Sequence, residues 1–178
     1  MEGQKLTYNM ETLYHIKQVL NAYARDAEVL YKDKIRAAGR VASGELLNSV
    51  HVQIEGSDGT GYEVTMELAE YWKFVEGGSK GTETSPAGAV YPAHWPPVDA
   101  ILKWIQVKPV IPRPLANGKL PTPNQLAYLI GRKIKEHGIT PVPALEDTIE
   151  ELNARYLEEL AVALSLDVED YLYSTLRR

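Results

Sequence analysis

Hydrophobic residues recur at helical spacing through the first forty positions: Met10, Leu13, Ile16, Leu20, Tyr23, Ala27, Leu30 and Ile35, with charged residues between them. The pattern predicts an amphipathic helix from about Tyr8 to Ala38, with Gly39 as its C-cap. About 30 residues at 1.5 Å each would span roughly 45 Å, more than the width of so small a domain. Part of that apolar stripe therefore needs a partner. The period then changes from helical to two. Val50, Val52 and Ile54 alternate with His51, Gln53 and Glu55, and Tyr62, Val64, Met66 and Leu68 alternate with Glu63, Thr65 and Glu67. The Gly-rich stretch from Gly56 to Gly61 lies between the two runs. This is the pattern of a β-hairpin with one buried and one wet face.

Ala69 to Glu76 packs three aromatics into eight residues and stops at Gly77-Gly78. Ser79 to Ala93 is rich in Gly, Ser, Thr and Pro, and its composition predicts a mobile loop. Pro96-Pro97 open a short helix with Val98, Ile101, Leu102 and Ile105 on one face. Pro109 to Pro123 holds five of the eleven prolines and reads as an extended arm. Thr122 as N-cap and Pro123 as first helical residue begin the next helix, which carries Leu126, Leu129, Ile130 and Ile134 inward and ends near His137-Gly138. After Pro141 and Pro143 a last helical region carries Leu145, Ile149, Leu152, Tyr156, Leu160, Leu164, Val168 and Tyr171, as one rod or as two helices meeting near Ser165. The fold class is α+β. A long N-terminal helix, a small antiparallel sheet with a β-hairpin, a helical insertion with a Pro-rich arm and a long C-terminal helix make up one domain over 1–178, with the insertion at 77–143.

Composition narrows the function classes. The chain has 178 residues, 44% hydrophobic and 24% charged, which excludes disorder along its whole length as the leading reading. It has no cysteine, so a disulfide scaffold and a thiolate metal site are both excluded. No apolar run approaches the roughly 20 residues of a membrane span, and Met1 to Lys5 lacks a signal-peptide core. The expectation is a soluble protein assembled in a cytoplasm, without a membrane partner.

The net charge of -5 is unevenly spread. From 103 to 137 stand seven basic residues (Lys103, Lys108, Arg113, Lys119, Arg132, Lys133, Lys135) against Glu136 alone, a local balance of +6. From 144 to 170 stand nine acidic residues (Glu146, Asp147, Glu150, Glu151, Glu158, Glu159, Asp167, Glu169, Asp170) against Arg155 alone, a balance of -8. Two adjoining segments of opposite sign suit pairing between subunits, and the acidic positions read as the solvated face of the last helix. The basic segment also admits a second reading, contact with nucleic acid. Its aromatics, Trp104 and Tyr128, occupy helix positions that look packed, not arrayed for base stacking.

Catalytic signals are weak. His15, His51, His94 and His137 show no ligand-pair spacing, and His94 beside Trp95 is the most interesting of them. The Ser43-Gly44 turn and Ser49 have no histidine nearby in sequence and no strained nucleophile turn around them. Gly56 to Gly61 is not followed by the helix that dinucleotide binding requires, and no Walker loop occurs. The residues argue against an enzyme and imply no cofactor and no metal. A metal-dependent hydrolase built on the carboxylates and His94 is the least favoured alternative, behind a DNA-binding accessory protein using 103–137.

Three stretches, in order, resemble the tail-completion or head–tail connector (neck) proteins of tailed bacteriophages. Ser43-Gly-Glu-Leu-Leu-Asn-Ser49 before a strand is similar to that family's Thr/Ser-Gly-x-Leu-x-x-Ser turn. Tyr71-Trp-Lys-Phe-Val-Glu-Gly-Gly78 resembles its Tyr-Ala-x-x-Val-Glu-x-Gly element, with Trp72 where the family has a small residue. The run from Pro96 through Trp104 and Lys108, then Leu126 to Leu145, looks like its helical insertion and closing segment. The resemblance covers roughly 40 to 145. It implies a structural virion protein forming a ring of about six or twelve copies between portal and tail, which lines or seals the DNA exit path. The implied partners are copies of itself, a portal or adaptor protein and tail proteins, with room for non-specific contact with genomic DNA. Ser43, Gly44, Leu46, Ser49, Tyr71, Glu76 and Gly77 then have architectural roles. Gly44 permits a tight turn, Leu46 anchors it, and Glu76 caps local backbone amides before Gly77 frees the chain. The subunit interface is expected at Lys103, Lys108, Arg113, Lys119, Arg132, Lys133 and Lys135 on one side and Glu150, Glu151, Glu158 and Glu159 on the other.

Overall fold

The computed structural model describes residues 13–41, 44–57, 61–108 and 110–176. The chain is α+β. In order it forms α1 (Tyr14–Ala37), α2 (Glu45–Ser49), β1 (His51–Ser57), β2 (Gly61–Glu67), α3 (Trp72–Gly77), α4 (Val98–Val107), α5 (Pro123–His137) and α6 (Ala144–Leu176). It divides into two compact units. One contains residues 1–32, 50–67 and 146–178, and the other contains 33–49 and 68–145. Among the described residues, no helix is long and apolar enough to cross a membrane.

The first unit joins most of α1, the hairpin and most of α6. β1 and β2 pair antiparallel with Val52 opposite Met66 and Ile54 opposite Val64. That register puts alternate apolar side chains on one face, as the period of two requires. The core is Ala27 of α1 with Leu152 and Tyr156 of α6, and Val52 and Met66 pack against it. The sequence places Ala27 in the first-helix stripe correctly but misses Ala24 and Tyr31, which are also buried. The predicted start of this helix at Tyr8 lies outside the described residues.

In α6 the inward stripe differs from the expected one. It runs through Thr148, Leu152, Tyr156, Ala163 and Asp167, whereas Ile149, Leu164, Val168 and Tyr171 are exposed. For Leu164, Val168 and Tyr171 the physical reason is drift. Repeated steps of four residues advance 400° and rotate about 40° per step off a fixed face, so a long series of fours leaves the core. The helix is one continuous rod of 33 residues, with no break at Ser165.

Asp167 also departs from the solvated face expected for the acidic residues: it is 1% exposed. Its two carboxylate oxygens accept hydrogen bonds from the backbone N–H of His15 and of Ile16, each at 2.9 Å. These amides belong to the first turn of α1, where no preceding carbonyl can reach them. A carboxylate there also meets the positive end of the helix dipole. Nearby, the Tyr156 hydroxyl donates to Asp26 Oδ2 at 2.8 Å, and Arg155 Nη1 donates to the same oxygen at 2.9 Å. Burial first, then the bond to Asp26 and the charges of Asp26 and Glu159, raise the Tyr156 phenol above its ordinary value, against a smaller lowering by Arg155.

The second unit is held by backbone. The loop after α3, expected to be mobile, is tied down along its length. Ser79 and Ile139 exchange N–H to carbonyl bonds at 2.9 and 2.8 Å, Lys80 donates to Tyr91, and Thr82, Glu83 and Thr84 donate to the carbonyls of Lys135 and Glu136. Composition hides this because the bonds use main-chain atoms, to which side-chain polarity is no guide. α5 begins as expected. Thr122 Oγ1 accepts from the Gln125 amide, the Gln125 side chain accepts from the Thr122 amide, and Pro123 follows the cap. Ala127 and Gly131 on α5 are buried at i and i+4, and the small Gly131 lets Ile101 and Trp95 approach. The proline-rich arm has no regular structure beyond a turn closed by Leu115 and Lys119, and Ile111 in it is 92% exposed. Pro109, at its start, lies outside the described residues.

Two outcomes follow for the first unit. Asp167→Ala strands two helix-start amides, and urea unfolding should show a loss of about 2 kcal/mol, with Asp167→Asn losing less. For Tyr156 the folded pKa lies above the unfolded 10.0, so its contribution is complete below pH 10 and is lost as the pH rises through the folded value. Tyr156→Phe should cost about 1.5 kcal/mol at neutral pH and make the alkaline fall in stability shallower, as read by denaturation at stepped pH.

Candidate functional site

Three of the seven sequence-predicted motif residues, Gly44, Leu46 and Tyr71, meet in the second unit in the lining of an apolar groove of about 580 Å³. Gly44, Leu46 and Leu47 line it from the segment around α2, Tyr71, Phe74 and Val75 from α3 and its start, Ile101 and Trp104 from α4, and Ile130 and Ile134 from α5. Arg40 and Glu45 also line it, so charge is present beside an otherwise aliphatic and aromatic wall. Gly44 has φ 79°, a left-handed conformation that a side chain disfavours, and it turns the chain into α2. Ser43 lies outside the described residues.

Ser49 links the two motifs. Its hydroxyl donates to the Leu46 carbonyl at 2.9 Å and accepts from the Ala69 amide at 2.9 Å. Tyr71 stands beside the same turn. Burial first and the Glu45 charge second raise its phenol pKa, while a backbone hydrogen bond at Leu46 acts the other way. Motifs more than twenty positions apart therefore form one wall of one groove.

Glu76 caps a backbone amide that is far away in the sequence. Its two oxygens accept from the Leu145 backbone N–H at 2.9 and 3.0 Å. Leu145 is the second residue of α6, so this carboxylate closes a helix start 69 positions away. Gly77 is the last residue of α3, and its Cα packs against the Tyr91 ring. The residue that redirects the chain is Gly78, at φ 59°, where any side chain would overlap the Ile139 carbonyl oxygen.

The expected interface residues are distributed as follows. Lys103, Arg113, Lys119, Arg132 and Lys133 are exposed. Lys108 reaches back to the Gly39 carbonyl at 3.2 Å, Arg132 pairs with Glu136 at 3.3 Å, and Lys135 lies over the Trp95 ring at 5.7 Å. On α6, Glu150, Glu158 and Glu159 are exposed, and Glu151 pairs with Arg155 at 3.2 Å. These positions form no convergent cluster of the kind that binds a small ligand; they are spread surface charge.

Glu83, Glu136 and His137 place ligand atoms within 4.8 Å of one another and could hold a divalent cation. Arg132 competes for Glu136, and the Thr84 hydroxyl is 2.9 Å from His137 Nδ1. His94, the histidine favoured on sequence grounds, is exposed and outside this group.

Sequence reading overlooked an exposed apolar stripe on α6. Leu157, Leu164, Val168 and Leu172 are 73%, 48%, 48% and 52% exposed, with Ala161 exposed between them. The signal was available: the region is apolar on more than one side, which a single inward stripe does not explain. Compared with protein-family models, curated proteins and solved structures, the chain matches none of them.

Gly78→Ala should destabilise the second unit by about 2–3 kcal/mol, because it combines backbone strain with a collision. Gly39→Ala, also at positive φ but in open space, should cost about 1 kcal/mol. Amide hydrogen exchange at Ser79 and Ile139 would separate them, with protection lost only in the first variant.

Proposed function

We propose that this chain is a structural virion protein of tailed bacteriophages: a subunit of a neck ring that joins the portal side of the head to the tail and lines or seals the DNA exit path. The observation that carries the reading is the α6 stripe from Leu157 to Leu172, whose exposure leaves a long helix unfinished in the isolated subunit. Hydrophobic surface at helical spacing over such a length marks an interaction face. The order of the turn, the Tyr71-to-Gly78 element and the closing segment supports the neck family in particular, and the first two build one wall of one groove.

Electrostatics supports assembly from like subunits. A ring requires two different complementary surfaces on each copy. The +6 segment 103–137 and the -8 segment 144–170 supply opposite signs, which set register and partner more than affinity. The groove serves this reading as a packing surface, because its lining is dominated by Leu, Ile, Phe and Trp.

Phage lacking this chain should accumulate DNA-filled heads and separate tails in infected cells, and supplying the chain should restore joined particles by electron microscopy. Joined, infectious particles formed without it would overturn the reading. In quantitative mass spectrometry of purified virions the chain should be present at about six or twelve copies per particle.

A further inference from the structure

The second stripe of α6 and the groove of the second unit have complementary chemistry. With 100° between successive residues, Leu157, Ala161, Leu164, Val168 and Leu172 fall on one face. That face lies about 140° around the helix from the buried stripe through Leu152, Tyr156 and Ala163. The same face continues toward the start of α6 with Glu150, and Glu158 stands beside it. It is an apolar ridge with acidic residues along its edge and at one end.

The groove has the opposite character. Its floor is Ile101, Trp104, Ile130 and Ile134, and its volume of about 580 Å³ suits several aliphatic side chains, not a whole helix. The helices of the floor carry Lys103 and Lys133 exposed on their flanks, while in the lining itself Arg40 stands with Glu45. An occupant that inserts apolar side chains and presents carboxylates to the rim fits both properties.

We infer that the groove receives the α6 stripe of a second copy of this chain. The inference rests on the self-assembling reading above and identifies the surfaces that would do it. Charge selects between the two ways in which copies could meet. Packing α6 against α6 of another copy would align two segments of -8, whereas packing α6 on the groove sets its carboxylates beside Lys103 of α4 and Lys133 of α5. The contact is therefore heterologous, one copy giving the ridge and the next giving the groove, so each added copy leaves one of each surface open.

Mixing complementary variants tests this directly. Leu164→Glu with Val168→Glu spoils the ridge on a solvent-exposed face, and Ala100→Glu puts an acid at the exposed Ala100 on the groove wall. In sedimentation velocity the unaltered chain should associate with rising concentration, and each variant alone should do so at least tenfold more weakly. A mixture of the two should form a 1:1 pair, because each retains the surface that the other has lost. Glu150→Lys with Glu158→Lys, on exposed positions away from the core, should weaken association about tenfold and remove its salt dependence. Any of three results overturns the inference: an unaltered chain that stays monomeric, a groove variant that associates like the unaltered chain, or a mixture that stays monomeric. Each would leave the outcome of the deletion experiment in phage untouched, so the docking geometry and the neck role can fail separately.

Discussion

A helix begins with amides that have no carbonyl to bond, and both long helices of this protein solve that problem with a carboxylate from a distant part of the chain. Asp167 closes the start of α1 across 151 and 152 positions, and Glu76 closes the start of α6 across 69. The first bond fixes where α1 lies along α6, and with it the register of Ala27 against Leu152 and Tyr156. The second fixes α3 to the residues that lead out of α5 into α6. Each supplies from a distance the acceptor that a local side-chain cap gives in other helices.

These long-range caps also mark the limit of what the sequence reveals. Elements whose signals are local are readable: the hairpin from its period of two, α5 from Thr122, Pro123 and Gln125, and α4 from Pro96-Pro97 and its apolar face. Asp167 is not readable in this way, because among nine acidic residues nothing local distinguishes the one that is buried from those in water. The loop from 79 to 91 is hidden for a related reason. Its anchors are main-chain groups and Gly78, and a composition rich in Ser, Thr and Gly looks the same whether those groups face water or another strand.

The groove falls between these cases. Its parts are legible as separate motifs, and Ser49 and Tyr71 are recognisable before any coordinates are known. Their meeting depends on the fold, through the Ser49 hydroxyl and the Ala69 amide. The α6 surface is partly legible: the sequence shows its apolar residues, but a run of fourfold spacings describes two faces, not one. A helix that is apolar on one side is satisfied by its own core, whereas one apolar on two sides keeps a face in water.

The tethering of the 79–91 loop has an evolutionary consequence. Its fixed points are peptide groups, a glycine and the hydroxyls of Thr82, Thr84 and Ser85, which leaves the side chains of Pro86 to Ala89 outside the hydrogen bonds described for it. Sequence can change there, and even lengthen near Ala87-Gly88, without loosening the anchors. A change of side chain or length at its tip is therefore absorbed locally, while the strand-like pairing beneath it stays in place.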